Sequence, residues 1–588
     1  MAWYQEAVFY HIYPLGLTGA PKLNAYGEPE HRLNTLLPWI GHIQKLGCTA
    51  LYIGPLFESV GHGYETTDYR KLDSRLGTNE DLKNFVDACH KAGIRVVLDG
   101  VFNHTGRDFF AFQDIREKRE NSPYVNWYCN VNFWNNNEYN DGFSYDNWGG
   151  YNLLAKLNQR NPEVQGYIAD VIRFWVSEFD IDGIRLDAAD VLDFDFMRML
   201  RRVANEVKPE FWLMGEVIHG DYSRWVGGDM LHAVTNYTLH KGLYSGHNDH
   251  NYFEIAHTVR RLEDMTGHDP NGLGLYNFTD NHDVERIHTK LYNKAHMIPV
   301  HILSYTLPGV PSIYYGSEFG IDGKKMRGSD DSLRPAIDLN EYADAFEKNP
   351  YTRCLAALGK VRKVYPALSY GVYKERVLTN RQYAFTRTIP GQNVIVAVNN
   401  DDNEAQISVP ADGVAAYRGT LTGTQVQAEN GWVQIHLAVN SGDVYVPADA
   451  AEAAGTEEAV LENTAAVPEI RPAETQPKAE KAAEDAENEK DTINETAAVT
   501  DVVKATAVEN ASAEKGTFSL EKLTQDSIEE AFKTRVRPLA PEELTVEELQ
   551  ISILERMRRN GPVNEQMKRT VTDNTHHGSL VNWLKSFR

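Results

Sequence analysis

"FDIDGIRLDAADVLDF", residues 179–194, combines a short apolar run with a dense group of charged side chains. The run from Ile181 to Leu186 predicts a buried strand. Because Arg185 and Asp187 are two residues apart, a strand directs both side chains to the same face. Burial of such a pair costs several kcal/mol per ion unless good geometry and hydrogen bonds offset it. The charges at this strand end are therefore either exposed to solvent or retained for chemistry.

Similar short β-rich runs recur up to about residue 365 and alternate with amphipathic helices. The predicted strands cover residues 7–14, 49–55, 94–101, 181–187, 211–217, 232–237, 273–279 and 311–316. The predicted helices include residues 79–92, 162–178, 195–207 and 289–306. Eight strands that alternate with helices favour a closed parallel (β/α)8 barrel, or TIM barrel, over residues 1–365. The predicted fold class is therefore α/β.

Four further segments differ from the barrel pattern. Residues 105–160 follow the third strand, and their many aromatic and Asn residues favour an inserted subdomain over a flexible loop. Alternating apolar residues and turn signals over 366–447 predict a C-terminal antiparallel β-sandwich. Residues 448–515 are rich in Ala and Glu and predict a disordered acidic linker. Residues 516–588 predict a small helical C-terminal segment.

The charge balance limits the class of partner. The formal net charge is −24, from 59 Lys and Arg against 83 Asp and Glu. We expect no nucleic-acid partner, because phosphate binding needs clustered Lys and Arg. The first residues lack the pattern of a signal peptide, and no run approaches the roughly 18 apolar residues of a membrane span. The widely spaced cysteines have no metal-type pairing, so together these features predict a cytoplasmic protein.

The C-terminal segment contains a predicted amphipathic helix in "TVEELQISILERMRRNGP", residues 545–562. Thr545 and Glu548 are spaced as a capping box at its start. Its apolar face comprises Val546, Leu549, Ile553 and Met557. A helix of this kind on an acidic tether predicts docking to a protein partner or self-association, and a locally packed helical cap is equally compatible with the pattern.

Acidic residues end three of the predicted strands. Asp187 ends the fourth strand, Glu216 the fifth and Asp283 the seventh. In a TIM barrel the active site lies at the C-terminal ends of the strands, so these side chains converge. Cleavage of a glycosidic bond needs one carboxylate to attack the anomeric carbon and one carboxylic acid to protonate the leaving oxygen. Crowded like charges raise the pKa of at least one acid, which supplies the acid form near neutral pH.

Each of these acids alone is more often a solvated or loop-capping side chain. Together with Arg and His residues at four different strand ends, they predict a glycosidase site. The other candidate residues at the predicted mouth are His62, Tyr64, Asp99, Asn103, His104, Arg185, His219 and His282. The charges after the fourth strand are therefore predicted to serve chemistry.

Several segments at these strand ends carry a family resemblance. In chain order, "DGVFNH" (99–104), "GIRLDAADV" (183–191), "GEVIH" (215–219) and "FTDNHD" (278–283) resemble the four signature regions of the α-amylase family of glycoside hydrolases, family 13. "GHGYETTDY" and "GVPSIYYGSE" also match that family. "LLAKLNQRNPEV" is similar to the form found in neopullulanases and cyclomaltodextrinases. The resemblance extends over about residues 7–447.

The resemblance implies a retaining mechanism with Asp187 as nucleophile, Glu216 as general acid/base and Asp283 as transition-state stabiliser. The substrate-binding residues expected with it are His62, Tyr64, Asp99, His104, Arg185, His219 and His282. Asn103 is a candidate calcium ligand. However, Asp190 and Val191 stand where many relatives carry Lys-His, so we expect no required cofactor and leave calcium as an open alternative.

The function expected from these residues is hydrolysis of α-1,4-glucosidic bonds in starch-derived glucans or maltodextrins through a covalent glycosyl-aspartate. The partner is then an α-glucan substrate. Two alternatives stay within the family, a transglycosylase and an enzyme that acts on α-1,6 bonds, pullulan or cyclodextrins. A third alternative is a catalytically inert carbohydrate-binding homologue. That alternative predicts loss of one of the three acids, and all three are present.

Overall fold

The computed structural model describes residues 2–266, 273–327 and 329–448, together with 546, 549–550, 552–553, 571, 579–581 and 584. The chain forms two compact units, Met1–Ile470 and Arg471–Arg588. Residues 449–515 of the predicted linker and most of the predicted segment 516–588 lie outside the described residues. Within the described part of the chain, no helix has the length and apolar character needed to cross a membrane.

Eight parallel strands close into a barrel, which confirms the predicted TIM barrel. They are β1 (Phe9–Ile12), β2 (Ala50–Ile53), β3 (Arg95–Gly100), β4 (Gly183–Leu186), β5 (Trp212–Gly215), β6 (Ala233–Thr235), β7 (Leu275–Phe278) and β8 (Val310–Tyr314). β1 pairs in parallel with both β2 and β8, and this double pairing closes the sheet. The strands are shorter than the predicted runs because the outer residues of each run form the loops.

The α-helices of the first unit are Trp3–Glu6, Pro14–Leu17, Leu37–Lys45, Asn79–Lys91, Phe110–Lys118, Pro162–Phe179, Phe194–Val207, Tyr237–Asn248, Tyr252–Asp264, Ile287–Lys290, Met297–Thr306, Ala345–Lys348, Pro350–Val364 and Ala367–Tyr370. Short 3-10 helices are Arg32–Leu36, Arg119–Asn121, Val125–Trp127, Ala189–Val191, Tyr222–Arg224, Lys294–His296, Ser317–Phe319, Asp331–Leu333 and Leu339–Tyr342. The longer helices follow from local sequence: in Asn79–Lys91 the Thr78 side chain caps the first turn.

One helix prediction is wrong. Residues 289–306 form separate segments, Ile287–Lys290, Lys294–His296 and Met297–Thr306, instead of one continuous helix. The Asn293 side chain accepts a hydrogen bond from the Ala295 N–H and so caps a new start. An Asn with non-helical backbone at this position interrupts the apolar periodicity that suggested a single helix.

An apolar layer fills the barrel interior near the N-terminal ends of the strands. Phe9, Trp212 and Val310 are the first residues of β1, β5 and β8, and they belong to one buried cluster. The Phe9 and Trp212 rings stack with centroids 4.8 Å apart. Because this layer closes the lower half of the barrel, polar side chains at the opposite strand ends face an open mouth.

The insert after β3 is folded. Strands His104–Thr105, Tyr151–Lys156 and Asn147–Trp148 form a three-stranded sheet, and the helix Phe110–Lys118 lies beside them. Phe112 packs against Tyr128, Phe143 and Tyr145 with ring centroids 4.8 to 5.9 Å apart. Part of the aromatic set that stands out in the sequence therefore forms the core of this insert, whereas Trp134 and Tyr151 are exposed.

An antiparallel sheet domain follows the barrel, as the alternating pattern predicts. Its strands are β9 (Val372–Leu378), β10 (Gln382–Ile389), β11 (Gln392–Asn399), β12 (Ala405–Pro410), β13 (Ala416–Gly419), β14 (Gln425–Glu429), β15 (Trp432–Leu437) and β16 (Ser441–Pro447). The order across the sheet is β9-β10-β11-β16-β13-β14-β15-β12. Ile395 of β11 shares a core with Val409 of β12 and Ile435 of β15, so the sheet folds over itself.

The second unit contains a small apolar core. Its buried residues are Leu549, Ile553, Val571, Leu580, Val581 and Leu584. Leu549 and Ile553 are helical and belong to the predicted apolar face, whereas Met557 of that face lies outside the described residues. The described part of this face is therefore covered by apolar side chains of its own unit.

The buried carboxyl group of Asp182 joins three elements at the N-terminal end of β4. It accepts hydrogen bonds from His90 Nε2 at 2.7 Å and from the Val96 N–H at 2.9 Å, and Lys208 Nζ lies 2.9 Å away. Burial alone would raise the pKa of Asp182, but the His90, Val96 and Lys208 contacts lower it to about 2. A depressed carboxyl pKa stabilises the folded state above the unfolded-state pKa, and that stability is lost as pH falls through about 2.

Asp182→Asn should therefore destabilise the fold at pH 7 by about 2 kcal/mol, the value that follows from the pKa shift. Thermal unfolding followed by circular dichroism measures this loss, and the difference from the wild type should shrink between pH 4 and pH 2. Asp180→Asn is the matched control, since Asp180 contacts the same Lys208 but its side chain is 62% exposed. Equal losses in both variants would contradict the assignment to the buried carboxyl group.

Candidate active site

The candidate site lies where β3, β4 and β5 are neighbours. Asp99 of β3 pairs in register with Arg185 of β4, which pairs on its other side with Met214 of β5. Asp187 directly follows β4, and Glu216 directly follows β5. Because side chains alternate along a strand, Arg185 and Asp187 both face the barrel interior.

The Arg185 guanidinium contacts three carboxylates. Its Nη1 lies 2.9 Å from Asp99 Oδ1 and 2.9 Å from Asp187 Oδ1, and its Nη2 lies 2.9 Å from Glu216 Oε2. Arg185 is buried, with a side chain 3% exposed. The structure thus brings Asp187 and Glu216, predicted from separate strands, to one cation.

These contacts set the electrostatics of the pair. Burial raises the pKa of Asp187, Arg185 opposes this effect, and the Glu216 and Asp99 charges raise the pKa further. Burial would lower the pKa of Arg185, but Asp99 and Glu216 hold it well above its usual value. The cluster therefore keeps a permanent cation beside Asp187, an acid that retains a proton more readily than an exposed carboxyl group does.

Asp283 follows β7 and has its own cation. Arg334 Nη2 donates to Asp283 Oδ1 at 2.8 Å, and His282 Nε2 lies 3.1 Å from Asp283 Oδ2. Burial would raise the pKa of Asp283, but His282, Arg334 and the charge of Arg185 hold it well below its usual range. Asp283 is therefore an ionised carboxylate across most of the pH range.

Tyr64 connects the two groups of charges. Its hydroxyl lies within hydrogen-bond distance of His282 Nε2 and lies 3.3 Å from Asp99 Oδ2. The Tyr64 and His282 rings are nearly parallel, with centroids 5.7 Å apart. The Tyr52 hydroxyl donates to the same Asp99 oxygen at 2.7 Å. Asp99 and Asp283 are thus linked through the aromatic wall of one mouth.

The three other histidines that were predicted to contact substrate differ in how deeply they are buried. His104 is buried, and burial lowers its pKa to about 3, so it is neutral. His62 is half-exposed and lies 3.2 Å from Glu65 Oε1. His219 is exposed, and its electrostatic effect falls on Asp190. The structure does not bring His219 into the Arg185 cluster.

Sequence reasoning missed three side chains of the site. Arg334, from the loop after β8, pairs with Asp283, and the Tyr237 hydroxyl lies 3.3 Å from Glu216 Oε1. Asn281 donates from Nδ2 to the Tyr237 hydroxyl at 3.2 Å. Asn281 lies inside the quoted segment "FTDNHD", and Tyr237 ends the predicted strand 232–237, so its position at a strand end was a signal that could have found it. Arg334 lies in a segment that no periodicity singles out.

The surroundings of Asn103 do not fit a calcium site. Asn103 Oδ1 accepts a hydrogen bond from Gln159 Nε2 at 3.2 Å, and Gln159 Oε1 accepts one from the Asp193 N–H at 2.6 Å. In the described ranges, no group of three or more His, Cys, Asp or Glu side chains is arranged to hold a metal ion. The predicted ligand oxygen thus faces an amide donor, and we derive no catalytic step through calcium.

Comparison with known families gives two matches. Residues 33–356 match the family described as alpha amylase, catalytic domain. Residues 371–445 match the family described as alpha-amylase C-terminal domain. The two matches fall on the barrel and on the antiparallel sheet domain and confirm the resemblance seen in the motifs.

Individual proteins of known name are also similar to the chain. A cyclomaltodextrinase from a Bacillus species is 31% identical and covers 68% of this chain and 74% of its own length. Neopullulanase 2 from Thermoactinomyces vulgaris is 31% identical, and the match covers 75% of this chain and 77% of the neopullulanase. Among solved structures, the native Nostoc punctiforme debranching enzyme has a TM-score of 0.66 and 29% identity and covers 75% of this chain and 98% of its own.

Arg185→Leu should destabilise the protein by about 3 to 5 kcal/mol, because it leaves buried carboxylates without their cation. The carboxyl groups then retain protons in the folded state, so the loss should grow as pH rises from 5 to 8. Thermal unfolding at both pH values tests the prediction. Arg198→Leu, which removes an exposed arginine that also contacts two acids, is the control and should change little. A loss that does not depend on pH would contradict the charge argument.

Proposed function

Because the chain belongs to the α-amylase family of glycoside hydrolases, we propose that it hydrolyses α-1,4-glucosidic bonds in maltodextrins and related starch-derived glucans. The observation that carries the proposal is that Asp187 and Glu216 lie on one guanidinium at the barrel mouth. The names of relatives, a cyclomaltodextrinase and a neopullulanase, support a short or cyclic α-glucan as substrate.

A retaining reaction agrees with this arrangement. Inverting enzymes leave room for a water molecule between two carboxyl groups, whereas retaining enzymes hold the groups closer together. Here Asp187 and Glu216 bind adjacent nitrogens of Arg185. Asp187 Oδ1 and Glu216 Oε2 are engaged with Arg185, so Asp187 Oδ2 and Glu216 Oε1 are the oxygens available to a sugar.

The proposed reaction has two steps. In the first, an Asp187 oxygen forms a bond to the anomeric carbon, the glycosidic C–O bond breaks, and Glu216 gives its proton to the leaving oxygen. In the second, Glu216 takes a proton from water, the water oxygen bonds to the anomeric carbon, and Asp187 leaves. Asp283 is held ionised by its histidine and arginine and stabilises the positive charge that develops on the sugar.

The proton that starts the reaction comes from the acid pair itself. Burial and neighbouring carboxylates raise the pKa of Asp187 well above its usual value, which supports a proton held within the pair. The reaction requires that this proton lies on Glu216 when sugar binds, since Asp187 has to be ionised to attack. Arg185 contacts both acids and stabilises whichever one is ionised, which supports transfer of the proton from Asp187 to Glu216.

Neighbouring polar side chains are proposed substrate contacts. Tyr64 presents its ring beside His282, and the neutral His104 is the proposed histidine contact. Asp99 and His62 lie beside these residues. No cofactor is needed for the proposed steps. The four cysteines are free thiols, which supports the proposed cytoplasmic location.

Purified protein should release reducing sugar from maltooligosaccharides, cyclodextrin, pullulan or starch, and the first product should be the α-anomer by NMR. Glu216→Gln should lower turnover by about 10²- to 10⁴-fold with folding intact. Glu254→Gln is the control, since Glu254, in the helix Tyr252–Asp264, pairs with Lys241 instead of with a proposed catalytic group. No release from any substrate would refute hydrolysis. Products longer than the maltotriose supplied would favour the transglycosylase alternative, and cleavage of panose would favour α-1,6 action.

We propose that the C-terminal unit takes no part in the chemistry. The described apolar face of its predicted helix is covered within its own unit, which supports the locally packed cap over docking to a protein partner or self-association. A chain ending at residue 448 should therefore keep its turnover within about twofold of the full chain, because the proposed catalytic groups all lie in the first unit. Steady-state kinetics on maltotriose measures this. A collapse in turnover without a fall in unfolding temperature would contradict the separation of the two roles.

A further inference from the structure

We propose that Tyr237 is a positioning residue for Glu216: its hydroxyl, oriented by Asn281, donates a hydrogen bond to Glu216 Oε1 and thereby favours the ionised carboxylate. The inference rests on the proposed role of Glu216 as general acid/base. The hydroxyl lies 3.3 Å from Glu216 Oε1 and accepts from Asn281 Nδ2 at 3.2 Å. Tyr237 thus lies between Glu216, which follows β5, and the loop that carries Asp283.

The orientation of Asn281 is determined by the backbone. The N–H groups of Asp283 and Val284 donate to Asn281 Oδ1 at 2.8 and 3.1 Å. Only the amide oxygen can accept these bonds, so the amide NH₂ group has to point toward Tyr237. Asn281 is buried, with 8% exposure, and cannot turn its amide without losing both bonds.

This orientation fixes the direction of the next hydrogen bond. A phenol has one proton, and its oxygen already accepts from Asn281. The Tyr237 proton is therefore available to Glu216 Oε1. Burial and the charges of Glu216 and Asp283 raise the pKa of Tyr237 well above its usual value, so the phenol keeps this proton.

The Tyr237 ring is held independently of the acid. Tyr237 is the first residue of the helix Tyr237–Asn248, and the Asn236 side chain caps that helix by accepting from the Leu239 N–H. The ring packs edge-to-face on Phe278 of β7, with centroids 4.9 Å apart. Since the ring is fixed by β7 and the helix start, the hydroxyl stays in place when Glu216 changes its charge.

The hydrogen bond discriminates between the two charge states of Glu216. When Glu216 is ionised, Oε1 accepts a hydrogen bond from the Tyr237 hydroxyl. When Oε1 carries a proton, that proton faces the Tyr237 proton and the hydrogen bond is lost. Glu216 Oε2 is already occupied by Arg185 and by the Ala188 N–H at 3.0 Å, so Oε1 is the oxygen that carries the catalytic proton. Tyr237 therefore stabilises the base form needed to activate water in the second step.

Other charged groups also face Glu216. They are Arg185 and Asp187 from β4 and its end, and Asp190 from the turn that follows. Arg185 favours the ionised carboxylate, and the two Asp residues disfavour it. Removal of the hydroxyl alone leaves all three in place, so a change in pH dependence reports on the Tyr237 hydrogen bond.

The test is the pH profile of kcat/KM on maltotriose for the full-length wild type and Tyr237→Phe. Loss of the donor should move the alkaline limb, where the acid form disappears, upward by about 1 pH unit and leave the acid limb in place. Asn281→Asp keeps an acceptor for the two backbone N–H groups. Its carboxylate, however, accepts a hydrogen bond from the Tyr237 hydroxyl, so that hydroxyl no longer donates to Glu216. This variant should move the alkaline limb in the same direction.

Tyr222→Phe is the matched control. Tyr222 is buried nearby, and its hydroxyl bonds to Thr238 Oγ1 at 3.1 Å without contacting a carboxylate. Its alkaline limb should coincide with that of the wild type. An unchanged limb in Tyr237→Phe, with an active wild type and an unchanged unfolding temperature, overturns the inference alone. A wild type without glycosidase activity overturns the proposed function instead.

Discussion

The site depends on one buried cation that balances three carboxylates inside a protein barrel. Arg185 contacts Asp99, Asp187 and Glu216, and all four side chains are largely withdrawn from water. An isolated carboxylate in such surroundings would stay protonated, and an isolated arginine would oppose folding. Each charge is therefore tolerated because of the others. This mutual dependence explains why the segment 179–194 places an arginine two residues before an aspartate at a strand end.

The barrel makes this arrangement possible by separating apolar and polar layers along its axis. Trp212 and its neighbours fill the lower interior, so charged side chains are confined to the upper strand ends. The charges there form two groups, one around Arg185 and one in which Arg334 and His282 hold Asp283. Separate cations let Asp283 remain ionised while the Asp187–Glu216 pair retains a proton. One site thus contains carboxyl groups with opposite pKa shifts.

Much of this organisation follows from local sequence. The eight strands are predictable because each is a short apolar run, and Asp99, Asp187 and Glu216 are predictable because they end such runs. Arg334 is not predictable, because its partner Asp283 is brought near it only by closure of the barrel. The break in the helix at Asn293 was missed because a single cap can outweigh apolar periodicity. His219 follows Glu216 closely in sequence, yet its loop carries it into solvent.

The two proposed steps place opposite demands on the same two acids. Asp187 loses its charge when it bonds to the sugar, and at that moment Glu216 becomes the ionised partner of Arg185. Because Arg185 contacts both acids, this cation stabilises whichever of them is ionised. Donors that contact Glu216 without contacting Asp187 favour the ionised form of Glu216 in particular, and the Ala188 N–H already does so at Oε2. Tyr237 is placed to be the donor at the other oxygen, Oε1, which Arg185 does not contact, since Asn281 and Phe278 hold its hydroxyl there.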